Sequence, residues 1–224
     1  MIIYRTGVYG TFCGSPTGYS DIMNTSQMQL NALYIKNALT AQGWSLPAIA
    51  GMLGNMQAES TINPGRWQND SPGNTSLGYG LVQWTPSTKY TDWCSERGLT
   101  DPSHIDSSLA RILYEVDNSI QWISTSTYNF SFKTFSTSTE SVSSLAKAFL
   151  LCYERPADQS ESVQNYRASL ALEWYKYISG GATPPDIPDI PDTPGTVTRK
   201  KKKSNYFLLF NQRKRRQQWI KKPF

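Results

Sequence analysis

The chain has 224 residues, 38% hydrophobic and 12% aromatic, which bounds it to one domain with accessory segments. Its one histidine, His104, argues against a histidine-rich metal site and a Ser-His-Asp triad, and the three widely spaced cysteines, Cys13, Cys94 and Cys152, form neither a disulfide framework nor a zinc pattern. The formal net charge of +5 conceals a division: the first 198 residues hold eleven basic and all seventeen acidic residues, a net −6, while residues 199–224 hold eleven Lys or Arg and no acid.

Taken in chain order, residues 1–24 are rich in Gly, Ser, Thr and Tyr and read as an N-terminal arm with a short strand. Met1–Gly7 lacks the apolar core of a secretory signal, and no run of about eighteen apolar residues occurs that would span a bilayer. From residue 25, Met28, Ala32, Ile35 and Leu39 recur at three- and four-residue steps and predict a helix to Gln42, closed by Gly43. Ser45 is placed to cap the next helix, with Pro47 tolerated in its first turn. That helix runs to Glu59 and is apolar almost all round, so it belongs at the centre of the domain. Residues 63–84 are crowded with Gly, Pro, Asn, Asp and Ser and predict a loop with a small β-hairpin. Thr85-Pro86 opens a helix over 86–97, His104 falls in a surface loop, and helices follow over 106–123, 139–154 and 160–178.

Cys94 and Cys152 fall on buried helix faces as free thiols. The last helix offers Tyr166, Leu170, Trp174 and Tyr177 as a core stripe. The domain thus spans 25–180. The Pro-Asp-Ile repeat within 181–198 reads as a semi-rigid polyproline-type linker, and 199–224 as a basic, aromatic tail. The sum is an α+β chain, mainly α.

Glu59 has the clearest chemical reading. It stands in Gly54-Asn55-Met56-Gln57-Ala58-Glu59-Ser60, just before Asn63-Pro64, and a helix usually ends before the residue that precedes a proline. A helix C-terminus repels negative charge, so the position favours a neutral carboxyl, the form a general acid needs. The run Gly78-Tyr79-Gly80-Leu81-Val82-Gln83-Trp84-Thr85 follows. Read as a strand, it puts Tyr79, Leu81 and Gln83 on one face and Gly80, Val82 and Trp84 on the other. Tyr79 and Gln83 would then face a sugar's hydroxyl or N-acetyl groups. Glycoside hydrolysis usually employs a second carboxylate, and Asp70 offers one, although Asn69-Asp70-Ser71-Pro72 is equally ordinary turn chemistry. Without Asp70, the substrate's own N-acetyl group or 6-hydroxyl replaces the nucleophile.

Glu59-Ser60 followed by Gly80-Leu81-Val82-Gln83 resembles the pattern of goose-type lysozymes and lytic transglycosylases. With Asn63-Pro64, the whole Gly78–Thr85 run and Tyr153-Glu154-Arg155-Pro156, the chain is similar to the bacteriophage tail lysozymes over residues 28–179. The resemblance implies a mainly α lysozyme-like fold with a small β lobe and Glu59 as the catalytic acid. Ser60, Tyr79, Gln83 and Tyr153 would contact substrate, with Asp70 the candidate second acid. It implies no metal and no cofactor. The Ala-Tyr-Asn motif usual in lytic transglycosylases is absent, and Tyr153 stands in its region. Glu154, at a helix end, reads as a structural partner of an arginine.

The implied substrate is bacterial peptidoglycan, cut at the β-1,4 bond between N-acetylmuramic acid and N-acetylglucosamine by a hydrolase or a lytic transglycosylase. The implied place is the phage virion, in the tail or inner capsid, acting at the cell wall; the alternative is a lysis enzyme that leaves the host cytoplasm through a holin pore. In the tail, Lys200–Lys203 and Arg213–Arg216 bracket Tyr206–Phe210. This suits docking on other virion proteins, or an anionic wall polymer or membrane surface, more than specific nucleic acid. The competing reading is a structural virion adaptor with an idle lysozyme fold that works through this tail.

Overall fold

The apolar second helix forms where its caps place it. In this computed structural model, which describes residues 25–180 and the strand pair β1 (Ile3–Tyr4) and β2 (Phe12–Cys13), helix α1 spans Thr25–Thr40 and helix α2 spans Leu46–Ser60. Gly43 takes φ +86° between them. Ser45 is extended and its side chain accepts from the Ala48 N–H at 3.2 Å. Every residue from Ala48 to Met56 is buried, so α2 is the axis of the domain. Strands β1 and β2 pair antiparallel, Ile3 opposite Cys13 and Tyr4 opposite Phe12. The linker 181–198 and the tail 199–224 lie outside the described residues.

The other helices are α3 (Thr88–Glu96), α4 (Ile105–Asn118), α5 (Phe132–Thr137), α6 (Val142–Phe149) and α7 (Glu161–Ser179). Helix α6 runs on as a wide π turn, Leu150–Glu154. The principal packing joins α2 to α7 and α6, and α6 to α7. Helix α4 stops five residues short of the expected 123. Ser119 turns left-handed at φ 55° and its N–H closes on the Glu115 carbonyl. Trp122 then enters an aromatic cluster, stacked on Phe132 at 5.2 Å and against Phe135 at 5.1 Å.

Helix α5 was not expected; Ser131 caps it by accepting from the Thr134 N–H. The helix expected from Pro86 begins at Thr88. His104 stands in the bend before α4, as expected, but is part-buried: its Nδ1 accepts from the Asp106 N–H at 3.1 Å and caps α4. Cys94 and Cys152 are buried free thiols.

Two expectations fail in instructive ways. Tyr166 is 56% exposed, and the buried face of α7 is Arg167, Ala168, Ala171, Trp174 and Ile178. The small alanines face α2 because α2 offers Gly54 there: a Cβ on Gly54 would lie 2.6 Å from the Ala171 nitrogen and 2.7 Å from the Arg167 carbonyl oxygen. Nor is the expected hairpin present as strands. Two isolated antiparallel bridges, Trp67 with Tyr79 and Tyr79 with Trp84, hold the segment. Gly80 (φ +88°) and Gln83 (φ +49°) bend the chain between Tyr79 and Trp84, so strict alternation of faces is lost. Tyr79, Leu81, Val82 and Trp84 are all buried.

Candidate active site

Glu59 occupies the last turn of α2, and the chain beyond it reverses sharply. Thr61 caps the helix in the left-handed conformation (φ 55°, ψ 34°), its N–H reaching the Gln57 and Met56 carbonyls. Ile62 is also left-handed at φ 55°. A β-branched residue there is a backbone outlier that costs on the order of 1–3 kcal/mol, so the surroundings must enforce it. They do: Asn31 Nδ2 donates to the Ile62 carbonyl at 2.8 Å, and Ile62 is wholly buried. Ser60 is also wholly buried, and its hydroxyl reaches both the Met56 carbonyl (3.1 Å) and the Leu81 carbonyl (2.8 Å). The expected substrate contact at Ser60 is therefore a tie that fixes the 78–85 loop to the end of α2.

The Glu59 side chain remains 21% exposed and accepts from Arg167 Nη2 at 2.6 Å. Arg167, on α7, is itself buried and is steadied by Nη1 contacts to the Asn55 carbonyl (3.2 Å) and Oδ1 (3.5 Å). Asn55 is pinned in turn by Nδ2 bonds to the Gly51 and Ala146 carbonyls. A guanidinium thus contacts the Glu59 carboxylate, a neighbour that the helix end alone does not supply.

Glu154 is coupled electrostatically to Glu59, and among the described residues no ion pair joins it to an arginine, against expectation. Arg155 sends Nη1 to the Gln121, Cys152 and Tyr153 carbonyls, and Arg167 goes to Glu59. Oε1 of Glu154 is buried without a hydrogen-bond partner. Burial pushes this carboxyl well above the usual range, the Glu59 charge adds to the push, and Arg167 works against it.

The remaining candidates fall in several places. Tyr79 is buried between Trp67 (ring centroids 4.4 Å apart) and Tyr90 (6.1 Å). Gln83 is half-buried; its Nε2 donates to the Arg66 (3.1 Å) and Gly80 (2.8 Å) carbonyls, leaving Oε1 without a protein partner among the described residues. Asp70, left-handed at φ 50°, forms an ion pair with Arg66 at 3.4 Å, and among the described residues no hydrogen bond or ion pair joins it to Glu59. Tyr153 is wholly buried and donates to Glu115 Oε2 at 2.5 Å, which leaves it no surface for a sugar.

Glu115, also wholly buried, collects Trp84 Nε1 (3.0 Å) and Arg111 Nε (2.8 Å) as well, so this quartet locks the 78–85 loop to α4 and the π turn. Sequence reasoning missed Arg167, Arg111 and Glu115. For Arg167 a signal existed, since it neighbours Ala168 and precedes Ala171, the small residues that Gly54 admits.

The helical domain thus holds a half-open carboxylate at the end of its buried helix, gripped by a buried arginine. The chain belongs to the phage tail lysozyme family, which it matches over residues 30–178. Morphogenesis protein 1 of Bacillus phage B103 is 52% identical over 158 residues, a stretch that covers 70% of this chain and 42% of that protein. The match thus spans less than half the length of that relative.

Proposed function

We propose that the chain cleaves the glycan strands of peptidoglycan at the β-1,4 bond between N-acetylmuramic acid and N-acetylglucosamine, with Glu59 protonating the leaving oxygen. The observation that carries this reading is the placement of Glu59: partly exposed, at an enforced left-handed cap, with its carboxylate oriented by the buried Arg167. Gln83 Oε1, without a partner among the described residues, is the group we assign to the sugar's hydroxyl or N-acetyl N–H. Asp70 is the remaining candidate for a second carboxylate, acting beside Arg66.

Glu59→Gln is expected to slow clearing of purified cell walls by about 10²- to 10⁴-fold, the usual contribution of a general acid. Near-normal clearing would remove Glu59 from the reaction. Mass spectrometry of the released fragments separates the two outcomes of bond cleavage: reducing ends mark a hydrolase and 1,6-anhydro ends a transglycosylase.

The name of the B103 relative, a morphogenesis protein, favours a second reading, in which the chain is a virion component docked through residues 199–224. The same clearing assay on a chain lacking residues 182–224 distinguishes them. An enzyme keeps its activity without the tail, whereas an adaptor has none to keep.

A further inference from the structure

Arg167 orients the Glu59 carboxylate, and a second arginine holds Asp70 in a comparable way. Arg66 Nη2 lies 3.4 Å from Asp70 Oδ1, and both side chains are 16% exposed. Surface ion pairs contribute little, but this one is largely shielded from water. Asp70 Oδ1 is buried without a hydrogen bond, so among the described residues the guanidinium charge is what compensates its burial. Oδ2 has no partner there and is not enclosed. The carboxylate thus gives one oxygen to the arginine and keeps the other open.

Hydrogen bonds fix Arg66 relative to the end of α2. The carbonyl of Ser60, next to Glu59, accepts from the Asn63 N–H at 3.1 Å, and the Asn63 carbonyl accepts from the Arg66 N–H at 3.3 Å. The Arg66 carbonyl in turn accepts from the Gly80 N–H (2.9 Å) and from Gln83 Nε2 (3.1 Å). The Ser60 hydroxyl closes this circuit on the Leu81 carbonyl at 2.8 Å. Asp70 joins it through its own N–H, which donates to the Trp67 carbonyl at 3.2 Å, while Trp67 bridges Tyr79. Asn69, Asp70 and Gln83 are all left-handed, at φ 55°, 50° and 49°. Such backbone persists where the surroundings enforce it. Arg66 contacts two of the three, Asp70 through its side chain and Gln83 through its carbonyl.

We propose that Arg66 is a positioning residue: its guanidinium holds Asp70 Oδ1 so that Oδ2 takes the proton of the attacking water or hydroxyl, within the frame that also presents Gln83 Oε1. The inference rests on the glycan-cleavage reading of Glu59. Glu59 gives its proton to the glycosidic oxygen as the bond to the anomeric carbon breaks and the bonding pair stays on that oxygen. The oxygen of water, or of the sugar's own 6-hydroxyl, bonds to the anomeric carbon and gives its proton to Asp70 Oδ2. Exchange with solvent then returns Asp70 to the carboxylate and Glu59 to the acid. Arg66 acts by keeping Asp70 from turning, and a misplacement of about 1 Å can slow such a step about a hundredfold.

The test is a double-mutant cycle on the full chain, read as the limiting rate of wall clearing and the half-saturating wall concentration. Arg66→Met keeps an apolar stem and no donor. It should lower the limiting rate about ten- to a hundredfold and leave the half-saturating concentration unchanged. Arg66→Lys, which keeps the charge, should recover most of that loss. Asp70→Asn should slow clearing about 10²- to 10⁴-fold. Arg66→Met combined with Asp70→Asn should be no slower than Asp70→Asn alone, because a residue that acts through another then has nothing to position.

Factors that multiply in the double variant overturn the proposal, as does an Arg66→Met whose loss lies in the half-saturating concentration or which clears walls normally. If Arg66→Met does not fold, Arg66→Gln takes its place in the cycle and is read by the same outcomes. An Asp70→Asn that clears at the wild-type rate beside a slow Glu59→Gln overturns this proposal alone. A Glu59→Gln that clears normally overturns the glycan-cleavage reading instead, so the two failures are distinct.

Discussion

At the scale of single residues, the site is organised by which polar groups are already engaged. Tyr153 illustrates this. Burial first, and then the Glu115 charge, push its hydroxyl well above the ordinary phenol range, so it stays a donor at every working pH. Its acceptor is Glu115, which has three donors and no exposed surface. Tyr153→Phe should therefore remove one donor from a buried carboxylate and cost about 1–3 kcal/mol of stability. Urea unfolding measures that loss. Wall clearing well below the melting transition should be unchanged, because the hydroxyl has no route to a substrate. A variant of normal stability that clears walls poorly would return Tyr153 to the sugar site. The same reasoning explains why a motif reading overstates its contacts: Ser60 and Tyr79 sit in the right segments, but their side chains build the site rather than face a ligand.

At the scale of elements, the distance between α2 and α7 decides whether Glu59 has its arginine. Gly54 sets that distance, since backbone atoms of Arg167 and Ala171 occupy the space a Cβ would need. Backbone cannot swing away as a flexible side chain can. Gly54→Ala is expected to cost about 1–3 kcal/mol or more through overpacking and to lengthen the Arg167–Glu59 contact. A lowered urea midpoint at constant slope, with slower wall clearing, is the expected result. An unchanged midpoint would show that the helices do not approach this closely.

This close approach was half legible in the sequence. The 3.6-residue periodicity and the Ser45 cap located α1 and α2, because those signals are local. The buried face of α7 was misplaced onto Tyr166, because aromatic bulk normally marks a core stripe and here glycine and alanine pairing overrides it. The Gly78–Thr85 run was legible as a compact non-helical segment but not as a bent loop. Its left-handed Gln83 is held by contacts to Arg66, which lies 17 residues earlier in the chain. Glu59 could be found from its neighbours; the small residues beside Arg167 marked its helix face, but not its pairing with Glu59, 108 residues away.

At the scale of the whole molecule, the two inward carboxyls tie folding to pH. Glu154 and Glu115 both have folded values raised above the ordinary range, in each case by burial first. Such a group keeps its proton longer in the folded chain than in the unfolded one. Between the unfolded value, about 4.3 for Glu, and the folded value, the folded state binds more protons, so stability falls as pH rises through that window. The contribution is fully present below the window and lost above it. Carboxylates held below their ordinary value, such as Asp158 beside the Ser160 N–H and hydroxyl, act in the opposite sense and limit stability at the acid end. The urea midpoint should therefore be higher in mildly acidic than in mildly alkaline buffer. Glu154→Gln has no proton to lose, so it should flatten that dependence and match or exceed the wild type at alkaline pH. Glu115 would account for whatever slope is left, since Gln at 154 does not touch its three donors. Parallel curves for the two proteins would mean that Glu154 ionises in the folded chain as readily as in the unfolded one, and the unpaired Oε1 would then need another explanation.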